Sequence, residues 1–309
     1  MDTRHPRLLL AALLVLATAG PALASDCNGP SEDCVPVGGW NFSLSLGAGV
    51  RTNPVVHESD IPLVVIPQIS YYGKHFFLDN LDGGVTLLDT DSMTLSLIAS
   101  PGYDRVFFYR SDPQNIFVRG LGAFNSATGT GSGSPGSPAV GVSNPGGSNS
   151  GNGQNTGNST GTVGNTTRPF PPRSRAVTYL AGPEWTFKYQ GLVGQLDLLH
   201  EITGHDHGDE VRAALGIPLS HAGGTWTGNI GLTWKSSAIV NYYYGAPGIY
   251  QGGATLDPFL KLAYMRPLKG KWKITGFVEG ERLGNGIADS PIVNRRIVTT
   301  TFLGLMYAF

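Results

Sequence analysis

The sequence predicts an all-β fold, a transmembrane antiparallel β-barrel of about 12 strands, with ten as the alternative. Three observations predict it. Apolar and polar residues alternate with period two in one segment after another. Charged residues make up 14% of the 309 residues although 40% are hydrophobic, against a usual charged share of roughly 25%. A leader-like N-terminus is matched by an aromatic last strand that stops at Phe309. The outward faces of a soluble sandwich need more charge than this chain carries, whereas a barrel with its apolar side in lipid does not. In hydrocarbon every backbone N–H and C=O must be paired internally, so such strands close on themselves.

From the N-terminus, residues 1–24 read as a secretory signal peptide. Arg4 and Arg7 precede an apolar stretch at 8–20, and Ala22-Leu23-Ala24 supplies the small-x-small site, with cleavage after Ala24. The longest apolar run, 8–17, is shorter than the ~20 residues of a spanning helix. Segment 25–39 then forms an N-terminal periplasmic segment. Cys27 follows Asp26, a poor context for lipid attachment, and Cys27 with Cys34 is expected to close a small disulfide loop in an oxidising compartment.

The first strand, 40–50, carries Trp40, Phe42, Leu44, Leu46, Ala48 and Val50 on one face. Asn41, Ser43, Ser45, Gly47 and Gly49 fall on the other. Segments 61–72 and 75–89 alternate less cleanly, and 92–103 follows. A fifth strand at 114–123 is expected from parity, since single-chain bacterial barrels have even strand numbers and both termini in the periplasm. The 43 residues 125–167 are almost all Gly, Ser, Thr, Asn or Pro, with no charge, and read as a flexible loop inserted in the barrel. Further strands are expected at 176–188, 191–200, 210–219, 226–235, 256–265, 271–282 and 294–309. This count puts the tight connections 72–75, 189–190, 220–225 and 266–270 in the periplasm. It puts 51–60, 124–175, 201–209, 236–255 and 283–293 outside, and leaves 104–113 as one long periplasmic connection.

Aromatics end the apolar faces at Trp40, Trp226, Trp234 and Trp272, as interfacial girdles require. Leu303, Leu305, Tyr307 and Phe309 alternate to the last residue and resemble the C-terminal sorting signal read by the barrel assembly machinery of the bacterial outer membrane.

Net charge is −1, with no basic excess to displace counterions from a nucleic acid. No GxxxxGK[ST] or GxSxG motif occurs. The stretch 200–209 concentrates His200, Glu201, His205, Asp206, His207 and Asp209. Its spacing matches no zinc motif, so a polar hairpin tip is expected, with a hydrolase using His205, Asp206 and His207 as the remote alternative. No catalytic, metal or cofactor residue is assigned. Polar faces mix Lys188, Arg212, Lys235, Lys261, Lys271 and Lys273 with Glu184, Asp197, Glu279 and Glu281. An open lumen would then be a weakly selective passive channel, and a closed one would be filled by side chains or an inserted loop.

Four stretches in order carry a family resemblance: Tyr71-Tyr72-Gly73-Lys74-His75-Phe76-Phe77-Leu78, Gly231-Leu232-Thr233-Trp234, Asn241-Tyr242-Tyr243-Tyr244-Gly245 and Asp289-Ser290-Pro291-Ile292-Val293. With Phe309 they make nearly the whole mature chain similar to the MltA-interacting protein (MipA/OmpV) family, from which insert 125–167 departs. The resemblance implies an outer-membrane barrel in contact with outer-membrane lipid. It also implies a non-enzymatic scaffold bridging a murein transglycosylase and a murein synthase; other members are linked to adhesion or to solute and antibiotic susceptibility. Periplasmic contacts would fall at 25–39, 104–113 and 266–270.

Overall fold

Period-two segments whose two faces differ in polarity need opposite surroundings on the two sides of one sheet, and closing the sheet on itself supplies them. A computed structural model describes residues 38–109, 112–115, 175–221 and 223–309. The leader with Ala24, Cys27 and Cys34, and insert 125–167 lie outside the described residues.

The strands are β1 (Gly39–Arg51), β2 (Ile61–Tyr72), β3 (Phe76–Asp79), β4 (Asp82–Asp89), β5 (Met93–Pro101), β6 (Tyr179–Tyr189), β7 (Leu192–Glu201), β8 (Asp209–His221), β9 (Gly224–Lys235), β10 (Thr255–Pro267), β11 (Trp272–Arg282) and β12 (Ile297–Ala308). Each pairs antiparallel with its sequence neighbours, and β1 pairs with β12, from Ser43↔Ala308 to Arg51↔Thr300, so the 12 strands form a closed barrel. The polarity is inverted relative to a soluble protein. Leu46, Leu198, Ile230, Leu260 and Leu303 are exposed outside, while Ser43, Ser96, Asp197, Arg212, Thr233 and Asp257 are buried inside. No helix among the described residues is long and apolar enough to cross a membrane; the strands carry the apolar surface instead.

The strand number matches expectation, but two assignments behind it do not. Segment 75–89 is not one strand: Asn80, at φ 55°, turns the chain between β3 and β4. Asn80 also stands in for a missing ladder, its N–H donating to Ile69 O (2.7 Å) and its side-chain oxygen accepting from Ile69 N (3.0 Å). Two residues away, Pro67 occupies the edge that β3 is too short to reach, where a proline forfeits no ladder bond. Segment 114–123 is not a strand between β5 and β6, because those two pair directly from Met93↔Phe187 to Pro101↔Tyr179. Residues 113–115 form a 3-10 turn, and 116–123 lie outside the described residues. The consequence reverses one placement. Connection 104–113 leaves the end of the barrel that also carries 52–60, 202–208, 236–254 and 283–296, the end opposite the strand termini at Gly39 and Ala308.

Glycines in the wall receive aromatic rings from the facing strand. Phe187 faces Gly194, Phe77 faces Gly84 and Phe259 faces Gly231. A Cβ on Gly194, Gly84 or Gly231 would stand 2.0, 2.6 or 2.6 Å from those rings. The ring thus covers backbone that glycine alone leaves bare. Gly194→Val is expected to displace Phe187 and destabilise the barrel by about 1–3 kcal/mol, read as a lower urea midpoint in detergent. Gly228→Ala, with nothing within 4 Å, leaves the midpoint unchanged.

Candidate functional site

A ring of 12 strands encloses more space than its inward side chains fill, and at the end away from the termini the connections fold into it. Tyr103–Phe107 forms a 3-10 turn, and Ser237–Tyr244 and Asn285–Ala288 form two short helices, α1 and α2. Within α1, Ile239, Val240, Tyr243 and Tyr244 follow helical spacing and are buried. They join Val106 and Phe107, Ile287 and Ala288 of α2, and the inward strand residues Ile61, Ile98, Leu180, Leu199 and Val298 in one apolar cluster. This cluster is a plug built from loops, seated in the mouth of the barrel.

Buried charges tie the plug to the wall. Lys235 of β9 donates to Asp104 at 2.7 Å and lies 3.7 Å from Asp257 of β10. The Tyr244 hydroxyl donates to the same Asp104 oxygen at 2.8 Å. Burial, and next the Asp104 charge, push the Tyr244 phenol well above its ordinary range, so it stays a donor. On the neighbouring strand, Arg212 of β8 binds Glu210 at 2.6 Å and reaches Ser100 Oγ of β5 at 2.7 Å. Asp257 accepts from Gly284 N at 2.7 Å, Ser290 Oγ donates to Tyr244 O at 2.6 Å, and Asn53 Nδ2 donates to Phe107 O at 2.9 Å. Arg175 lies 3.7 Å over the Phe108 ring while its Nε donates to Tyr243 O. Further down the wall, Gln195 Nε2 bridges Glu184 (3.0 Å) and Asp197 (2.9 Å), and Lys261 meets Glu279 at 3.5 Å.

The hairpin tip at 200–209 is ordered by its own acid. Glu201 accepts backbone N–H groups from Thr203, Gly204, His205, Asp206 and His207, and the Thr203 hydroxyl. It is a polar hairpin tip, as expected, with its backbone N–H groups gathered on one carboxylate. His205 stacks on Tyr242 at 6.3 Å, Asp206 accepts from Gly208 N at 2.8 Å, and His200 pairs with Asp209 at 2.7 Å. Nothing in these contacts joins His205, Asp206 and His207 to one another or to a nucleophile. Among the described residues no group of three or more His, Cys, Asp or Glu side chains is placed to hold a metal.

At the terminus end, Trp40 packs on Tyr71 (5.0 Å), Trp226 on Tyr264 (4.5 Å) and Trp272 on Tyr307 (4.9 Å). Trp234 lies at the other end, opposite Leu256 and Val211. Leu303, Leu305 and Phe309 are exposed on the outer face, and Phe309 N donates to Phe42 O at 3.0 Å. Lys188 and Lys271 sit exposed at the rim rather than in the lumen. Sequence reasoning missed Asp104, Tyr244 and Asp257. The available signal was the helical spacing of Ile239, Val240, Tyr243 and Tyr244 inside an expected solvated loop.

A family model described as MltA-interacting protein MipA matches residues 44–309. The MltA-interacting proteins of Escherichia coli (strain K12) and Shigella flexneri are each 23% identical over 279 residues, covering 87% of this chain and 90% of theirs. Among solved structures, the anion-selective porin from Comamonas acidovorans aligns at TM-score 0.33 and 12% identity, over 88% of this chain and 99% of that one. That likeness is too low to carry an argument.

Removing Lys235 leaves Asp104 and Asp257 buried without their shared cation, a loss of about 3–5 kcal/mol for such a break. Lys235→Ala is therefore expected to release the plug, read in planar bilayers as larger and noisier conductance than the parent protein. Burial raises the half-buried Asp206 carboxyl from 3.8 to about 6, against the Gly208 N–H that lowers it and with Glu201 adding to the rise. Because the folded value lies above the unfolded one, the ionised acid destabilises the tip. The loss grows between pH ~4 and ~6 and persists above. Amide exchange across 203–208, corrected for intrinsic rates, is expected to quicken from pH 5 to 7, and Asp206→Asn to abolish the change.

Proposed function

Since the chain belongs to the MltA-interacting protein MipA family, we propose that it is a non-enzymatic outer-membrane scaffold. It would be exported by its signal peptide, processed after Ala24, and inserted through the barrel assembly machinery by its terminal strand with Leu303, Leu305, Tyr307 and Phe309. The aromatics at Trp40, Trp226 and Trp272 would sit at the headgroup level of outer-membrane lipid. Its partner would be a murein lytic transglycosylase, as the name MltA-interacting protein borne by its relatives suggests, with a murein synthase as second client.

The observation that carries this reading is the plug. A barrel whose mouth is tied across by Lys235, Asp104 and Tyr244 has a framework suited to holding partners at its rim rather than to passing solutes. Short hairpin turns on the strand-terminus side, made rigid by the ladders that end in them, fit the same role. One is the two-residue turn at Gln190 and Gly191, both at positive φ. A passive channel is the second reading, favoured by the polar residues of the lower wall, Glu184, Gln195 and Asp197.

The purified protein, immobilised in detergent, is expected to capture a purified murein lytic transglycosylase and to show no large steady conductance in planar bilayers. A steady ohmic current together with no capture would replace the scaffold by the channel.

A further inference from the structure

Like charges face each other across two ladders inside the barrel. Asp79 pairs with Asp82 at the β3–β4 turn, and Glu184 of β6 pairs with Asp197 of β7. Asp79 and Asp197 are buried, and Asp82 and Glu184 are half-buried. Only β5 separates the two pairs, and Glu184 lies within electrostatic reach of the other three carboxylates. Acids placed directly opposite one another destabilise a ladder, and in a confined interior their repulsion is weakly screened. Arg212 faces Asp197 across the β7–β8 ladder, but its one charge serves Glu210 as well as this group. Two neutral side chains beside the acids carry unmet acceptors. Gln195, 5% exposed, spends its Nε2 on Glu184 and Asp197, and its buried Oε1 has no donor. Asn229 of β9 is 4% exposed, and among the described residues its side chain makes no hydrogen bond. It faces Gly216 of β8, which places no side chain between Asn229 and β7.

We propose that this side of the lumen is a binding site for small organic ammonium ions. The proposal goes beyond the scaffold reading and does not rest on it. Facing carboxylates and unmet carbonyl acceptors together call for a ligand that brings both positive charge and N–H donors. An alkylammonium brings three donors on one cation, and its bonds to carboxylates are charge-assisted, about twice as strong as neutral ones. A chelated metal fits less well, since among the described residues no three acidic side chains converge on one point, as a dehydrated divalent cation requires. Because the acids form two separate pairs, a diammonium such as putrescine suits them, with one end on each pair. The plug fills the opposite mouth, so these ions enter from the strand-terminus end.

The test titrates putrescine into the processed full chain in zwitterionic detergent, by calorimetry near neutral pH and at low ionic strength. Succinate serves as the anionic control, and heat-modifiable gel mobility checks folding. Putrescine is expected to bind saturably, succinate not at all, and putrescine binding is expected to weaken as KCl is raised. Glu184→Gln with Asp197→Asn is expected to weaken it at least about tenfold. Glu184→Gln alone is expected to weaken it several-fold, and decides the matter if the double variant does not fold. Asp89→Asn with Asp91→Asn, exposed on the β4–β5 turn at the same end, is expected to bind as the parent does. Parent protein that binds no putrescine means that the acid pairs are neutralised by shared protons instead, and overturns the site. Folded Glu184 variants that bind as tightly as the parent, or a loss confined to the Asp89 and Asp91 variant, overturn it too. The scaffold reading, tested by capture of the transglycosylase, stands or falls separately.

Discussion

The ladder between β1 and β12 turns a twisted ribbon of hairpins into a ring, and the rest of the molecule depends on that closure. In a medium without water an open edge would leave a row of N–H and C=O groups unpaired, at several kcal/mol for each. The seam is accordingly close. A Cβ on Gly47 would stand 2.2 Å from Leu303 O, and one on Gly304 would stand 2.5 Å from Leu46 O. Side chains are absent there because the two backbones meet, and Phe302, paired with Gly49, lies across the bare stretch.

Closure fixes the rest by parity. Once the ring exists, every second residue of each strand faces a confined interior and the others face outward. Leucines such as Leu260 and Leu303 are exposed while Asp197 and Arg212 are buried. Buried charges carry a desolvation cost that only good partners offset, and here the partners often come from distant parts of the chain. Lys235 meets Asp104 across 131 residues of sequence, and Arg212 meets Ser100 across 112. Such pairs specify where a loop must sit more than they add stability. They explain why the connection after β5 enters the mouth instead of standing in solvent. Arg266, Lys269 and Lys271 belong to the opposite end, where they are exposed. The scaffold proposed for this member of the MltA-interacting protein MipA family would have its plug facing away from the murein layer.

Alternation was readable residue by residue. The exposed series Trp40, Leu46 and Val50 and the buried series Ser43 and Ser45 are those the one-dimensional pattern separates. The inverted barrel, its closure and the family were therefore legible before any coordinates. The strand number was legible only by compensation. Splitting 75–89 at Asn80 added a strand, and losing 114–123 removed one. The turn at Asn80 (φ 55°) lies in Asp79-Asn80-Leu81-Asp82-Gly83-Gly84, a stretch of turn residues, but β3 before it is only Phe76–Asp79, too short to show an alternation of its own.

What the sequence by itself determined is local and periodic: which face of each strand avoids water, where most of the hairpins turn, and that the chain needs a lipid-like exterior. Tertiary structure alone decided where the long connections go. Asp104 reads as an ordinary loop acid, and α1 as a solvated loop, until the ring places Lys235, Asp257 and Tyr244 around them. The reason is physical. A period of two is imposed by each strand's own geometry, whereas a loop's destination depends on partners more than a hundred residues away, which come within reach only after the barrel has closed.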